Sequence, residues 1–304
     1  MHALRNAAWS AAMYANSAAR VAWRARSRPR FRTETRVVFV VGSPRSGTTF
    51  LAGALGELDG VVDLGELQPV KAAIPRLASL PEDEAGRRLR SIVDRVRTLG
   101  LSRHLRAVEQ TPEVVFVVRA ALDAFPEARA IHLVRDGRDV VCSLLERGWL
   151  SATRGGVDDV GAAYGNHPRF WVEPGRQDEF RTTSETRRAA WVWRAHVTAG
   201  RSVRRARLLE LRYEDLARRP HETADRIAAH TGLDREQLAV ALGGVHDRSV
   251  GRWQTDLDAA QLADVEAEAG SLLRELGYAD GSAAGVDAAI DRQPPSVVQL
   301  GDDA

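Results

Sequence analysis

Residues 37–49 read VVFVVGSPRSGTT, an apolar β-branched run that leads straight into a turn of glycine, serine and threonine. The run predicts a buried strand over Arg36–Val41, and the pattern after the turn predicts a helix over Gly47–Leu58. The two glycines of the turn, Gly42 and Gly47, have the spacing of a phosphate-binding loop, in which backbone N–H groups and the following helix N-terminus surround an anion. The stretch therefore predicts an α/β protein with an anion site at a strand end.

The loop differs from the nucleoside-triphosphate type because Thr48 stands where those loops carry a lysine. Arg45 offers a cation from inside the loop, and a guanidinium binds anionic oxygens through a planar fork. Thr48 and Thr49 add hydroxyl donors. A second strand is predicted over Arg129–Arg135, and it ends in an arginine rather than a magnesium-binding aspartate. An anion site is therefore favoured over a magnesium–triphosphate site.

A second anion site is predicted at the end of that strand. Arg135 occupies the carboxyl end, where open α/β sheets bind ligands, and Ser143 lies in the second turn of the helix that follows. If this helix returns beside the strand end, the two side chains can hold one phosphate. On the same helix, we expect Arg138 and Asp139 to form caps or ion pairs and Cys142 to be a small buried apolar residue.

The rest of the chain alternates strands with helices, which implies a parallel sheet. Residues 151–182 are rich in Gly, Pro and Arg and too long for an ordinary connection, so we expect a lid or binding loop. Residues 280–304 lack periodicity and are predicted to be a loose tail. The further predicted elements are a helix over Ser184–Ala206, a strand over Leu208–Tyr213, and helices over Glu222–Thr231, Arg235–Leu242 and Ala259–Leu276.

Composition narrows the function classes. Of the 304 residues, 44% are hydrophobic, which is enough for a sizeable core. The single cysteine, Cys142, excludes an intramolecular disulfide framework and a cysteine-based zinc site. Lys71 is the only lysine, against 42 arginines, so chemistry that needs a lysine must use it or substitute arginine. The net charge of +2 is the sum of +7 in residues 1–36 and −5 in the remainder.

The basic N-terminal arm leaves several interpretations open. We expect a solvated helix and a basic linker, with anionic lipid, nucleic acid and an acidic partner as alternatives. A membrane-surface helix should separate its polar and apolar faces, whereas Trp9, Met13, Arg20 and Arg24 fall on nearly one side. No transmembrane segment or signal peptide is evident. A cytoplasmic protein is therefore expected, nucleic-acid binding is disfavoured, and peripheral membrane contact through residues 1–36 stays open.

At the two anion sites the sequence resembles the sulfotransferases that use 3′-phosphoadenosine 5′-phosphosulfate as donor. Residues 44–49 (PRSGTT) look like the family's 5′-phosphosulfate loop, and Arg135 and Ser143 match its 3′-phosphate pair. Supporting matches lie at residues 211–216 (LRYEDL), 248–253 (RSVGRW) and 272–278 (LLRELGY). The resemblance extends over about Arg36 to Tyr278 and is to the bacterial branch.

The resemblance implies a P-loop-like three-layer α/β domain over residues 36–279, with a central parallel sheet flanked by helices. Residues 1–35 are then a basic helix and linker, and residues 151–182 a lid over the acceptor. It implies in-line transfer of a sulfuryl group without a metal, in which Arg45 stabilises charge on the sulfuryl group and the departing phosphate. The implied donor-binding residues are Pro44, Arg45, Ser46, Gly47, Thr48, Thr49, Arg135, Ser143, Tyr213 and Arg248.

The acceptor site is assigned by a likeness to tyrosylprotein sulfotransferases. Their catalytic base is a glutamate in a Gly-Glu segment, which here corresponds to Glu66; His167 is the rival base. A lysine that this branch carries before a proline is replaced by Gln110, which can hydrogen-bond sulfuryl oxygens but brings no charge. The acceptor-lining residues are expected to be Tyr164, Phe170 and Trp171, although these aromatic residues can equally form a small core of their own.

The sequence thus predicts a sulfotransferase acting on a hydroxyl of a small-molecule, carbohydrate or peptide acceptor. Two alternatives remain open at this point. One is a P-loop nucleotide kinase or NTPase, which the missing loop lysine disfavours. The other is a non-catalytic module that binds a nucleotide or nucleic acid.

Overall fold

The computed structural model describes residues 2–26, 34–153, 164–203 and 206–278. Its strands form one sheet in the order β2-β3-β1-β4-β5, and every neighbouring pair is parallel. The parallel α/β architecture predicted from the sequence is therefore confirmed. The strands are β1 (Val37–Gly42), β2 (Val61–Gly65), β3 (Arg106–Glu109), β4 (Arg129–Val134) and β5 (Leu208–Arg212).

Helices cover both faces of the sheet. Along β1, side chains alternate between two cores: Phe39 packs with the helices of one face and Val40 with those of the other. A third core joins α6, α8 and α13. The helices are α1 (His2–Ala25), α2 (Thr48–Gly56), α3 (Gln68–Leu77), α4 (Glu82–Leu99), α5 (Val118–Ala124), α6 (Gly137–Arg147), α7 (Gln177–Thr182), α8 (Glu185–Arg201), α9 (Tyr213–Arg218), α10 (Pro220–Thr231), α11 (Arg235–Leu242), α12 (Trp253–Asp256) and α13 (Ala259–Glu275), with a 3₁₀ helix over Pro112–Val117.

Two strands, β2 and β3, were not predicted from the sequence. Both are short, and polar residues interrupt their apolar pattern. Asp63 in β2 pairs with Arg24 (2.8 Å), and Arg106 in β3 donates to the Thr231 carbonyl (3.1 Å). These partners come from distant parts of the chain, so the local pattern does not show why the polar side chains are tolerated.

The N-terminal helix contradicts the expectation of a solvated element. α1 packs against α4, β2 and α3, with Val21 fully buried and Met13 8% exposed. Arg24 forms the ion pair with Asp63 and also donates to the Asp63 carbonyl (2.9 Å). The inward side of α1 is therefore buried against its neighbouring elements. No helix in the described ranges is both long and apolar enough to cross a membrane.

Other boundaries differ from the predictions. α8 ends at Arg201, earlier than the predicted helix end at Ala206. The predicted basic linker over residues 27–33, part of the predicted lid (residues 154–163) and the predicted tail (residues 280–304) lie outside the described residues. The described part of the lid contains α7 and packs against the core around α8.

Candidate active site

The glycine-rich loop between β1 and α2 is wrapped tightly against its neighbours. A Cβ at Gly42 would lie 2.4 Å from the Leu133 carbonyl oxygen, and one at Gly47 would lie 2.6 Å from the Tyr213 ring. Gly47 also has φ 92°, a conformation that glycine adopts without strain. Neither position can accept a side chain, so the sequence spacing that predicted the loop reflects real contacts with β4 and α9.

The loop presents unsatisfied polar groups at the N-terminus of α2. The Ser46 side chain is fully buried, and its Oγ has no hydrogen-bond partner among the described residues. Thr48 is also buried, and Thr49 Oγ1 donates to Gln110 Oε1 at 3.5 Å. An orphaned hydroxyl beside a helix N-terminus fits an anionic oxygen, because both supply donors to it.

The two predicted anion sites meet at Arg45. Arg45 Nε donates to Ser143 Oγ at 3.0 Å, and Arg135 Nη1 donates to the Arg45 carbonyl at 3.2 Å. Arg45 itself has φ 71°, an unusual conformation for a residue with a side chain. Residues that are about 90 positions apart in the chain thus form one cluster at the carboxyl end of the sheet.

Positive charge is concentrated in this cluster. Burial lowers the pKa of the Arg45 guanidinium, and the nearby Arg147 and Arg135 lower it further; Glu146 and Glu66 act in the opposite direction. Arg135 is buried, and its Nε has no hydrogen-bond partner among the described residues. Guanidinium groups that repel one another are stabilised when an anion binds between them.

Tyr213 and Ser249 complete the surroundings of Arg135. The Arg135 guanidinium carbon lies 4.7 Å from the centre of the Tyr213 ring, and Arg135 Nη2 donates to the Ser249 carbonyl. The Tyr213 hydroxyl donates to the His246 carbonyl at 3.3 Å. The Tyr213 ring supports Gly47 and Arg135 with 7% of its surface exposed, and its contact with an adenine stays a prediction. Arg248 is exposed, and Ser249 rather than Arg248 touches Arg135.

The helix that follows β4 is held in place by neighbouring elements. The Trp193 indole donates to the Arg135 carbonyl at 3.0 Å, and its ring packs so closely on Gly137 that a Cβ there would lie 2.7 Å away. Asp139 accepts from the backbone N–H of Gly251 (2.8 Å) and of Trp253. These contacts fix the relative positions of Arg135, α6 and the segment that carries Ser249.

The expected roles of the other α6 residues are confirmed. Asp136 caps the helix by accepting from the Arg138 amide, and its carboxylate pairs with the Arg138 guanidinium at 2.7 Å. Cys142 is buried, and burial raises the pKa of its thiol to about 12. Trp191 and Trp193 of α8 are fully buried and pack in the core.

Glu66 lies directly after β2 and forms an ionic group with Lys71 and Glu113. Glu66 Oε2 accepts from Lys71 Nζ at 3.0 Å, and the same Nζ lies 3.8 Å from Glu113 Oε1. The side chain of Glu66 is 28% exposed, whereas that of Glu113 is 2% exposed. Burial by itself would lower the pKa of Lys71, but the carboxylates of Glu113 and Glu66 outweigh it and raise that pKa.

The backbone around Glu66 is clamped from two sides. Arg20 of α1 donates to the Glu66 carbonyl at 2.8 Å, and the Leu67 amide donates to Thr111 Oγ1 at 3.1 Å. Thr111 in turn donates to Glu109, which is fully buried. Burial raises the pKa of the Glu109 carboxyl to about 8, although its hydrogen bonds from Thr111 act in the opposite direction. The position of Glu66 therefore depends on α1 and on the end of β3.

Residues 91–237 match the family model described as the sulfotransferase family. This range contains Arg135, Ser143 and Tyr213, which form much of the anion cluster described above. Over this range, just under half of its length, the chain matches the sulfotransferase family. The loop with Arg45 and the segment with Glu66 lie upstream of the matched range.

Several solved sulfotransferase structures are similar to this chain. The sulfotransferase domain of the Synechococcus PCC 7002 olefin synthase has 18% identity, covers 81% of this chain and 97% of its own, and gives a TM-score of 0.46. The sulfotransferase domain from the curacin biosynthetic pathway has 15% identity, with 80% and 98% covered and a TM-score of 0.49. Sulfotransferase STF1 of Mycobacterium tuberculosis H37Rv has 16% identity, with 81% and 77% covered and a TM-score of 0.46. No curated protein sequence matches the chain significantly.

Lys71 lies in the candidate site although the sequence pattern gave it no role. Gln110 occupies the place where the resemblance expects a lysine, and its buried amide carries no charge. The only lysine instead reaches the site from α3, where it contacts Glu66 and Glu113. One signal was available, since Lys71 lies five residues after Glu66 in a chain that otherwise uses arginine.

The predicted acceptor-lining aromatics are mostly buried. Tyr164 and Trp171 are 7% and 6% exposed and belong to the core around α8, as the alternative of a small aromatic core describes. The Arg169 guanidinium lies over both rings, 4.6 Å and 4.7 Å from their centres. Phe170 is partly buried against this core. Their contact with an acceptor stays a prediction.

His167 is exposed, and its Nδ1 lies 3.0 Å from the Pro168 carbonyl oxygen. It is not part of the ionic group around Glu66, whose described contacts involve Lys71, Glu113 and the backbone. Among the described residues, no group of three or more His, Cys, Asp or Glu side chains is arranged to hold a metal ion.

Proposed function

We propose that this sulfotransferase moves a sulfuryl group from 3′-phosphoadenosine 5′-phosphosulfate to a hydroxyl group of its acceptor. The observation that carries this proposal is the position of Arg45, whose side chain contacts Ser143 while its carbonyl contacts Arg135. The glycine-rich loop, which would bind one anionic group, therefore lies next to Arg135 and Ser143, which would bind a second. A donor with a phosphate at the 3′ position and a phosphosulfate at the 5′ position has this pair of charges.

The residues present fit such a donor. The backbone N–H groups of the loop, the unpaired Ser46 hydroxyl and the start of α2 would hold the 5′-phosphate. The unpaired Arg135 Nε and the Ser143 hydroxyl would hold the 3′-phosphate. Arg45 Nε donates a hydrogen bond to Ser143 Oγ in this structure. Donor binding would replace this hydrogen bond by contacts of both side chains to the donor. The Arg45 guanidinium would then turn to the sulfuryl oxygens.

The proposed sulfuryl transfer uses these residues in one in-line step. The acceptor oxygen attacks sulfur in line, the sulfur–oxygen bond to the donor phosphate breaks, and the acceptor proton passes to Glu66. Lys71 holds Glu66 Oε2, which leaves Oε1 for the acceptor hydroxyl. Arg45 and the loop N–H groups stabilise the negative charge that develops on the sulfuryl group and the leaving phosphate. The donor arrives activated, so the proposal assigns no step to a metal.

A transfer assay with radiolabelled sulfate in the donor tests the proposal. We expect label to move to a hydroxyl within a panel of phenols, sugars and tyrosine peptides, and the transfer to collapse in Glu66→Gln and Arg45→Ala proteins. Arg87→Ala is a matched control because Arg87 forms only an exposed ion pair with Asp83 on α4. Wild-type transfer rates in both site variants would contradict the assigned roles.

Nucleotide binding separates this function from its rivals. We expect calorimetry to show tighter binding of adenosine 3′,5′-bisphosphate than of ATP, without a requirement for magnesium. A nucleotide kinase or NTPase would instead prefer magnesium–ATP. A nucleic-acid-binding module would bind DNA with an affinity that falls steeply as salt rises.

A further inference from the structure

Large apolar side chains are exposed mainly on one side of the molecule. Of the five large hydrophobic residues that are exposed within the described ranges, four lie on α1 or at the end of α4. They are Trp9 (50% exposed), Trp23 (62%), Leu99 (53%) and Leu101 (61%). We call the surface formed by these four residues and the outward alanines of α1 the α1–α4 face.

Part of the α1–α4 face is a groove between the two helices. Leu99 lines a groove of about 620 Å³ together with Tyr14, Ala18 and Ala22 of α1. Leu99 and Leu101 flank Gly100, which is packed so closely on α1 that a Cβ there would lie 2.8 Å from Val21. Both leucines are therefore held beside the C-terminal half of α1. Scattered single apolar residues need no explanation, but four of the five exposed large apolar residues of the described ranges lie on these two adjoining helices or directly after α4, which indicates a contact surface.

The structure separates most of the residues that the sequence placed on one side of α1. Trp9, Met13, Arg20 and Arg24 fall on nearly one side of a regular helix, which mixes polar and apolar residues. Arg20 stays exposed and donates to the Glu66 carbonyl. In the folded protein Met13 is buried and Arg24 is turned inward to its ion pair with Asp63. The outward side of α1 keeps the two tryptophans and the alanines between them, and its inward side is occupied by the domain.

Charge identifies the kind of surface that the α1–α4 face fits. The first 33 residues contain no acidic residue, residues 1–36 carry +7, and the remainder carries −5. The Arg26 guanidinium lies 4.7 Å from the centre of the Trp23 ring, and the exposed Arg95 lies 4.7 Å from that of Tyr14. Aromatic rings beside arginines are favoured where a protein meets an anionic bilayer surface. Two copies joined through this face would bring two strongly positive arms together.

We propose that the α1–α4 face docks this protein onto an anionic lipid surface. Trp9 and Trp23 would insert at the boundary between headgroups and acyl chains, and the arginines around them would contact the anionic headgroups. The proposal is independent of the sulfuryl-transfer function, since it concerns only where the protein is held.

Flotation with lipid vesicles tests the proposal with the full chain. We expect the protein to float with mixed phosphatidylcholine–phosphatidylglycerol vesicles, to bind pure phosphatidylcholine at least about tenfold more weakly, and to be released by high salt. The Trp9→Ala/Trp23→Ala protein should lose roughly tenfold or more of its binding to the mixed vesicles. Val240→Ala is the matched control, because Val240 is the fifth exposed apolar residue (82%) and lies on α11.

Several results would overturn the proposal. One is equal flotation of the double tryptophan variant and the wild type, and another is equal binding to neutral and anionic vesicles. A third is a dimer that the tryptophan substitutions dissociate, in a protein that binds no vesicles; this would assign the face to a second copy. Circular dichroism and the melting temperature check folding, and unchanged values are expected because both tryptophans are exposed.

Discussion

Lys71 Nζ donates a hydrogen bond to Glu66 Oε2 at 3.0 Å, so the only lysine of the chain binds the carboxylate proposed as the catalytic base. On its other side, Lys71 faces the buried Glu113 at 3.8 Å. The groups that act on this ionic group come from several elements. They are Arg20 on α1, Arg45 in the loop, Glu109 at the end of β3, and Tyr164 and Arg169 in the lid segment.

Replacing Lys71 should destabilise the protein by leaving Glu113 buried without a cation. Burial raises the pKa of Glu113 and Lys71 lowers it. The raised pKa of Lys71 means that its stabilising contribution is fully present at neutral pH and is lost only in strong alkali. We expect Lys71→Met to lower the free energy of unfolding by about 3 kcal/mol at pH 7, measured by urea denaturation.

The double variant Lys71→Met/Glu113→Gln is the control for this interpretation. Because it removes both buried charges, it should recover much of the lost stability. Additive losses in the two single variants would contradict an interaction between them. Lys71→Arg keeps the charge, and we expect it to retain more transfer activity than Lys71→Met.

Arg45 should matter more for the transfer step than for donor binding. Its guanidinium is proposed to stabilise the negative charge that develops on the sulfuryl group and the leaving phosphate in the transition state. Arg45→Ala should therefore lower kcat by about 10²- to 10³-fold, with a smaller change in KM for the donor. Steady-state kinetics with the labelled donor measures both constants. A large rise in KM at unchanged kcat would place Arg45 in donor binding alone.

Ser143 should determine the preference for a 3′-phosphate. We expect Ser143→Ala to weaken binding of adenosine 3′,5′-bisphosphate by about tenfold, since one hydrogen bond to a charged group is lost. Binding of adenosine 5′-phosphate should change little. Calorimetry with the two nucleotides measures the difference, and Ser202→Ala on the far end of α8 is the control. An equal loss for both nucleotides would contradict the assignment.

Gly47 should be required for the loop, whereas Gly53 on the same helix should not. A Cβ at Gly47 would meet the Tyr213 ring at 2.6 Å and force strain at φ 92°, so Gly47→Ala should cost about 1–3 kcal/mol of stability and abolish donor binding. Gly53 has nothing within 4 Å of its virtual Cβ, and Gly53→Ala should stabilise α2 by about 0.5–1 kcal/mol. Thermal melts and nucleotide titrations compare them, and equal effects would argue against the packing described.

Glu109 should make stability depend on pH near neutrality. Burial raises the pKa of this carboxyl to about 8, above its value in the unfolded chain, so its contribution to stability is lost as pH rises through about 8. The wild type should therefore lose stability as pH rises from about 4.5 to about 8, by at most about 1.4 kcal/mol per pH unit from this group, with no further loss from it at higher pH. Glu109→Gln should show a flatter dependence in urea denaturation at several pH values. A slope unchanged in the variant would contradict this assignment.

The strongest local patterns identified much of the fold and the anion cluster. Local sequence patterns were sufficient where strand burial and tight turns restrict the residue types of neighbouring positions. Examples are the apolar run ending at Gly42, the second glycine of the loop at Gly47, and the strand that leads to Arg135. β2 and β3 were missed because their polar residues are satisfied by partners such as Arg24 and Thr231, which lie far away in sequence.

The sequence by itself determined that a glycine-rich loop joins a buried strand to a helix and that Arg135 and Ser143 follow a second strand. Only the tertiary structure decided that Arg45 meets Ser143, that Lys71 binds Glu66 in front of Glu113, and that α1 is docked with its tryptophans outward. The physical reason is that each of these contacts joins separate elements. A residue's own neighbours in the chain set its backbone conformation, but its charge partner and its exposed side depend on which elements pack against it.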